Sequence, residues 1–226
     1  GTAGSVVTVS GSGFAPGEVG ITVTYDGAPV ASGISANQQG AWSTTFTVPQ
    51  STAGAHSVRA SGSATQSASA GEFAFNVLPS MSLSRTGVAP GGTTTVTGSG
   101  FGPGESGITV TYDGATVASG ISANAQGSWR ASFAIPPSIT GTHTIRASGA
   151  ATQAATAPEV NVSIAPSISL SRTSTAPGTS LTVAGAGFGP SETGITVTYD
   201  GNPVASGISS NPQGSWSTTV TVPTSA

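Results

Sequence analysis

Cysteine is absent from the 226 residues, so disulfides, thiolate metal sites and cysteine nucleophiles are excluded. Lysine is absent too, which rules out intramolecular lysine–asparagine isopeptide bonds. Charged residues make up only 6% of the chain, against roughly 25% in an average soluble protein. Five arginines oppose eight acidic residues, and the net charge of −3 is too small to steer the chain toward nucleic acid or an anionic membrane. No apolar run approaches the roughly 18 residues of a membrane-spanning helix. Gly1–Gly4 carries no basic or apolar signal region, so any signal peptide is expected outside these residues or already removed. A Leu-Pro-x-Thr-Gly sorting signal is missing as well. Paired carboxylates, metal-ligand clusters, phosphate loops and nucleophile elbows are not found, which predicts a non-enzyme without a cofactor.

What is present is regular. Hydrophobic residues form 36% of the chain and alternate with polar ones, unlike a disordered sequence. The 33 glycines and 15 prolines fall between those runs, as turns of an all-β protein require. The segment Ile21–Gly27 returns as Ile108–Gly114 and as Ile195–Gly201. Trp42, Trp129 and Trp216 stand 87 residues apart, and Phe14, Phe101 and Phe188 repeat that spacing. The unit is longer than a solenoid repeat and close to a sandwich domain of roughly 100 residues. The spacing predicts three copies: residues 1–79 without a first strand, a complete 80–166, and 167–226 without the last strands. On this reading the chain is cut from a longer array.

The complete copy reads as about seven strands. Met81–Ser84, Thr93–Thr97, Ile108–Tyr112, Thr116–Ala118, Ser128–Ile135, Thr142–Ser148 and Glu159–Ile164 are predicted, with Arg85–Gly92 as a turn. Asp113-Gly114 signals a tight hairpin. The fold class is therefore all-β: tandem immunoglobulin-like sandwiches arranged end to end. Leu78-Pro79 and Ala165-Pro166 leave very short, stiff connections between copies.

The runs Gly11–Glu18, Ile21–Gly27, Gln39–Trp42, Phe46–Pro49 and Gly54–Gly62 resemble the IPT/TIG-type and related bacterial immunoglobulin-like repeats. The resemblance covers the entire chain. It implies stalks of large prokaryotic cell-surface or secreted proteins, with extracellular display, adhesion or spacing as the role. It supplies no catalytic residue.

Candidate site residues follow from the repeat. Asp26, Asp113 and Asp200 occupy Asp-Gly turns, and Glu18, Glu105 and Glu192 occupy the preceding loops. Calcium wants six to eight oxygens, and these carboxylates are spread along the chain, so turn formation and local capping are the expected roles. Trp42, Trp129 and Trp216 fall on the apolar face of a strand and are predicted as core rather than sugar platforms. Phe14, Phe101 and Phe188 are predicted loop anchors. Tyr25, Tyr112 and Tyr199 are predicted as core with rim hydroxyls. His56 and His143 stand alone and are expected to be structural. Arg59 and Arg146 are expected outward in salt bridges, and Arg85 and Arg172 follow the first strands. Asn161-Val162-Ser163 matches the N-glycosylation pattern.

The predicted function is a semi-rigid extracellular stalk or filament built from copies of one repeat. Its partners are further copies of the same repeat, with lateral or strand-addition assembly as a filament variant. The alternative is an adhesin repeat gripping glycan or a surface protein through end loops such as Gly98–Glu105. No nucleic acid or membrane span is expected.

Overall fold

The computed structural model describes residues 1–65, 71–153 and 157–224. Among these residues every regular element is a strand. The first copy holds β1 (Val6–Gly11), β2 (Ile21–Tyr25), β3 (Ala28–Ile34), β4 (Trp42–Thr47), β5 (Gly54–Ser61) and β6 (Glu72–Val77). The second holds β7 (Ser80–Leu83), β8 (Gly87–Val88), β9 (Thr93–Ser99), β10 (Ile108–Tyr112), β11 (Ala115–Ile121), β12 (Trp129–Ala134), β13 (Gly141–Ser148) and β14 (Glu159–Ile164). The third holds β15 (Ser167–Leu170), β16 (Ser180–Ala186), β17 (Ile195–Tyr199), β18 (Asn202–Ile208) and β19 (Trp216–Thr221).

Period-two alternation decides what strands such as β9, β10 and β12 bury. In β10, Ile108, Val110 and Tyr112 point inward while Thr109 and Thr111 do not. Asp113 takes a positive φ of 47°, as the two-residue turn between β10 and β11 demands, and Asp26 and Asp200 repeat it. The second copy stacks a sheet of order β12-β9-β7 on one of order β11-β10-β13-β14-β8. Val96, Phe101, Ile108, Val110, Ile145 and Val162 form the dry interior between them. Each such side chain contributes roughly 1.5–3 kcal/mol on burial. This is an immunoglobulin-like sandwich.

One element departs from the sequence reading. Gly87–Val88, predicted within a turn, pairs parallel with Ser163 and Ile164 of β14. The chain leaves one sheet after Leu83, crosses the edge of the sandwich and joins the other, burying Val88. A two-residue strand has no periodicity to betray it.

The first copy pairs β1 with β4 and orders its other sheet β3-β2-β5-β6. The third orders β15-β16-β19 and β17-β18. Each copy has its own apolar cluster, around Trp42, Trp129 and Trp216 respectively. Trp129 is 4% exposed and meets Phe101 edge-on at 5.2 Å. Phe14 and Phe188 meet Trp42 and Trp216 in the same way. Gly98, the cross-strand partner of Trp129, lies under the indole ring.

The predicted core position of Tyr199 does not hold. Tyr112 is covered by His143 and Ser138, and no described residue takes those places over Tyr199, which is 41% exposed. Phe188 is only half-buried, for the same want of cover. A cavity of about 210 Å³ opens there, lined by Leu170, Val183, Val197 and Tyr199 among others.

Candidate functional site

Two polar clusters recur in the first and second copies. The first is built on Glu18 and Glu105. Glu105 accepts hydrogen bonds from the amides of Gly102, Ala151 and Thr152 at 2.8 Å and from the Thr152 hydroxyl at 3.0 Å. Glu18 repeats this with Ala15, Ala64 and Thr65. Both carboxylates are buried. The sequence reading expected a local cap. Half of it is local, and the other half ties the loop to a segment 46 and 47 residues further along. The Thr65 amide, against the opposing effect of burial, leads the bonds that bring the Glu18 carboxyl down to about 2. Burial opposes ionisation of Glu105, but the Thr152, Gly102 and Ala151 donors outweigh it and hold its carboxyl below the usual range. Among the described residues the Glu192 carboxylate keeps the local bond alone, from the Gly189 amide, and is exposed.

The second cluster corrects the expectation that the histidines stand alone. His143 Nδ1 lies 2.6 Å from Asp113 Oδ2, and Nε2 lies 3.0 Å from the Ile139 carbonyl. Asp113 Oδ1 accepts the Thr144 amide at 2.9 Å. The imidazole stacks on Tyr112 at 5.1 Å, and the Tyr112 hydroxyl donates to Ser138. The first copy repeats the set: His56 with Asp26, the Thr52 carbonyl and Tyr25, whose hydroxyl meets Ser51. Burial works against a charged His56 ring, but the Asp26 and Thr52 acceptors outweigh it and raise the ring above its usual 6.5. Burial also opposes ionisation of Asp26 and Asp113, yet the histidine and amide donors hold both carboxyls below the usual 3.8.

A general base needs a ring nitrogen free to take a proton from substrate. Here both nitrogens face acceptors of the protein itself. The cluster pins a loop against a strand and has the geometry of a brace. The six carboxylates weighed for calcium are scattered, and among the described residues no three acidic or histidine groups gather at one point. Asp26, Asp113, Glu18 and Glu105 already accept protein N–H groups, which leaves few oxygens for a cation.

Arg59 pairs with Glu72 and Arg146 with Glu159, each directly across a ladder on the exposed face. Asn161 is exposed on β14 and accepts from the Thr144 hydroxyl at 3.4 Å. A cavity of about 300 Å³ borders Trp42, Phe14, Arg59 and Phe73 in the first copy.

The junction between the first two copies is a third feature, unmarked in the sequence. Thr52 forms an isolated parallel bridge with Gly100, and the Ala53 amide donates to the Gly100 carbonyl at 3.1 Å. The Ser128 hydroxyl donates to Gln50 Oε1 at 2.9 Å. Gly100, at φ 74°, lies against the linker so closely that a Cβ would stand 2.9 Å from the Leu78 carbonyl. Gly187 meets the Ala165 carbonyl in the same way at 2.8 Å. A four-residue tract, Gln50–Ala53, thus touches its own copy behind and the next copy in front.

No protein-family model matches the chain, and no curated protein sequence matches it. Among solved structures it is similar to the Escherichia coli adhesin FdeC, at 17% identity over 100% of this chain and 86% of that one, TM-score 0.30. It is also similar to a membrane-anchored protein from Corynebacterium diphtheriae, at 10% identity over 100% and 82% of the two chains, TM-score 0.31. A third is SGBP-B of Bacteroides ovatus, solved with a mixed-linkage heptasaccharide, at 11% identity over 99% and 64%, TM-score 0.31. Likenesses of this size carry no weight for function, and the all-β sandwich stands on the strand pairing described above.

Proposed function

We propose that this chain is a structural stretch of an extracellular repeat array, a semi-rigid stalk or filament of a prokaryotic surface protein of the IPT/TIG-like type. The observation that carries the reading is the docking of Gln50–Ala53 on Gly100 and Ser128, next to the short Leu78-Pro79 connection. A connection of this kind fixes one bead on the next. The chemistry of the clusters agrees: the side chains of Glu18, Glu105, Asp26, Asp113, His56 and His143 are spent on holding loops. We therefore read the chain as non-enzymatic.

Small-angle scattering of the 226-residue chain tests this. Three beads of roughly 35–45 Å each predict a maximum dimension of about 105–135 Å, with little change on adding salt. A compact particle, or the broad profile of freely jointed beads, overturns the reading.

Adhesion through end loops has less support. Phe14 and Phe101, the aromatic residues of those loops, are buried under the tryptophans and unavailable for stacking on a sugar. Assembly by strand addition would act at the apolar opening beside Tyr199, where the second copy holds Ile145 and Val162.

A further inference from the structure

We propose that protonation of His56 locks the joint between the first and second copies, so that the array is stiffer at mildly acidic than at alkaline pH. The inference concerns how two beads are held and does not depend on where the array is displayed.

The geometry is a chain of contacts through one short segment. Behind Gln50–Ala53, the Thr52 carbonyl lies 2.9 Å from His56 Nε2, and Ser51 is held by the Tyr25 hydroxyl at 2.9 Å. In front, Thr52 and Ala53 engage Gly100, and Gln50 engages Ser128. The ring that anchors the segment is one residue's width from the inter-copy bond.

Both ring nitrogens of His56 face oxygen acceptors, Asp26 Oδ2 and the Thr52 carbonyl. Two acceptors require two N–H donors, and only the imidazolium has both. When the ring loses a proton, the remaining one stays with the charged Asp26 carboxylate, the better acceptor. Nε2 then turns a lone pair toward the lone pairs of the Thr52 carbonyl. The segment loses one of its two rear anchors, the Tyr25–Ser51 bond remaining, and the Gly100 contacts lose part of their support.

The groups facing the ring are few. Asp26 and Tyr25 come from β2 and its turn, and Phe75 lies opposite on β6. The terminal ammonium of Gly1 binds the Asn76 carbonyl on the same strand. Arg59 and Glu72 neutralise each other, and Arg59 projects from the opposite face of β5 from His56. Asp26 is thus the charge that governs the ring.

The second copy is an internal control. His143 makes the same contacts with Asp113 and the Ile139 carbonyl. Yet Pro137 stands where the first copy has Gln50. Among the described residues no hydrogen bond joins residues 137–140 to the third copy.

The test uses the full chain, which has no native cysteine. Ser43→Cys and Ala134→Cys, both on exposed strand positions, take a donor and an acceptor dye. Single-molecule energy transfer is followed from pH 5 to 9, beside an NMR titration of both histidines. The distance distribution is expected to broaden as pH rises, with its midpoint at the His56 titration and above 6.5. His143→Gln is expected to leave the midpoint unchanged. Asp26→Asn, suited to the Asn-Gly turn it creates, is expected to lower the midpoint by about 1–3 pH units. His56→Gln is expected to abolish the transition, with the Trp42 indole N–H resonance in the NMR spectrum confirming that the copy is folded. If that variant does not fold, the Asp26→Asn shift alone decides. A width independent of pH, a midpoint that follows His143, or no shift in Asp26→Asn overturns the proposal.

Discussion

Gly98 faces Trp129 across the β9–β12 ladder so closely that a Cβ there would stand 2.2 Å from the indole. The pairs Gly11–Trp42 and Gly185–Trp216 repeat the arrangement. The large ring covers the bare backbone, and the glycine makes room for the ring.

Gly98→Ala is therefore expected to displace Trp129 and to destabilise the second copy by about 1–3 kcal/mol, the usual range for overpacking. Urea unfolding followed by Trp129 emission, with Trp42 and Trp216 replaced by phenylalanine, reads this directly. An unchanged midpoint would show that the indole can shift at no cost.

Glu105→Gln is expected to cost about 2–3 kcal/mol at pH 7, since a charged acceptor of four hydrogen bonds is replaced by a neutral amide that can satisfy fewer of them. The carboxyl sits below its usual 4.5 in the folded chain. Its contribution is therefore complete above 4.5 and disappears as pH falls through the lower folded value. Denaturant titrations at pH 7 and in acid should show the two proteins converging in acid. The corresponding Glu192→Gln, at an exposed residue with one bond, should have a much smaller effect.

Arg146→Ala is expected to change stability by no more than about 0.5 kcal/mol, because its bond to Glu159 lies on the exposed face. A thermal melt in low and high salt checks this. A loss above 1 kcal/mol would mean that the pair also supports the β13–β14 ladder.

Brief trypsin treatment of the native chain should cut first after Arg85 and Arg172. Both are exposed and stand just beyond the first strands of their copies, outside any ladder. Arg59, Arg130 and Arg146 lie within paired strands. Mass spectrometry should find pieces ending at residues 85 and 172 before any other.

The strands were legible in the sequence because alternation and the 87-residue spacing both point to the same residues. Trp129 could be placed in the core from its side of a strand alone, and Phe101 only as the apolar anchor of a loop. The two polar clusters were not legible. Asp113 and His143 are 30 residues apart, and only the pairing of β10 with β13 brings the turn over the strand start. The repeated Asp–His and Glu–Thr spacings in two copies were a signal available to a reader looking for it. Tyr199 misled because its register matches Tyr112, while burial depends on what lies above the ring. The joint at Gly100 was hidden for another reason: it uses backbone groups, which every sequence has.

Gly13 adopts the same left-handed conformation as Gly100 and Gly187, at φ 81°, with no other part of the chain within 4 Å of where its side chain would start. The left-handed bend is thus present in all three copies, whether or not another part of the chain lies against it. What meets the bend differs: Gln50 and Thr52 reach the second copy, whereas Pro137 stands at the matching place before the third. Exchanging the two tracts would therefore change the grip at each joint and leave the bend itself untouched.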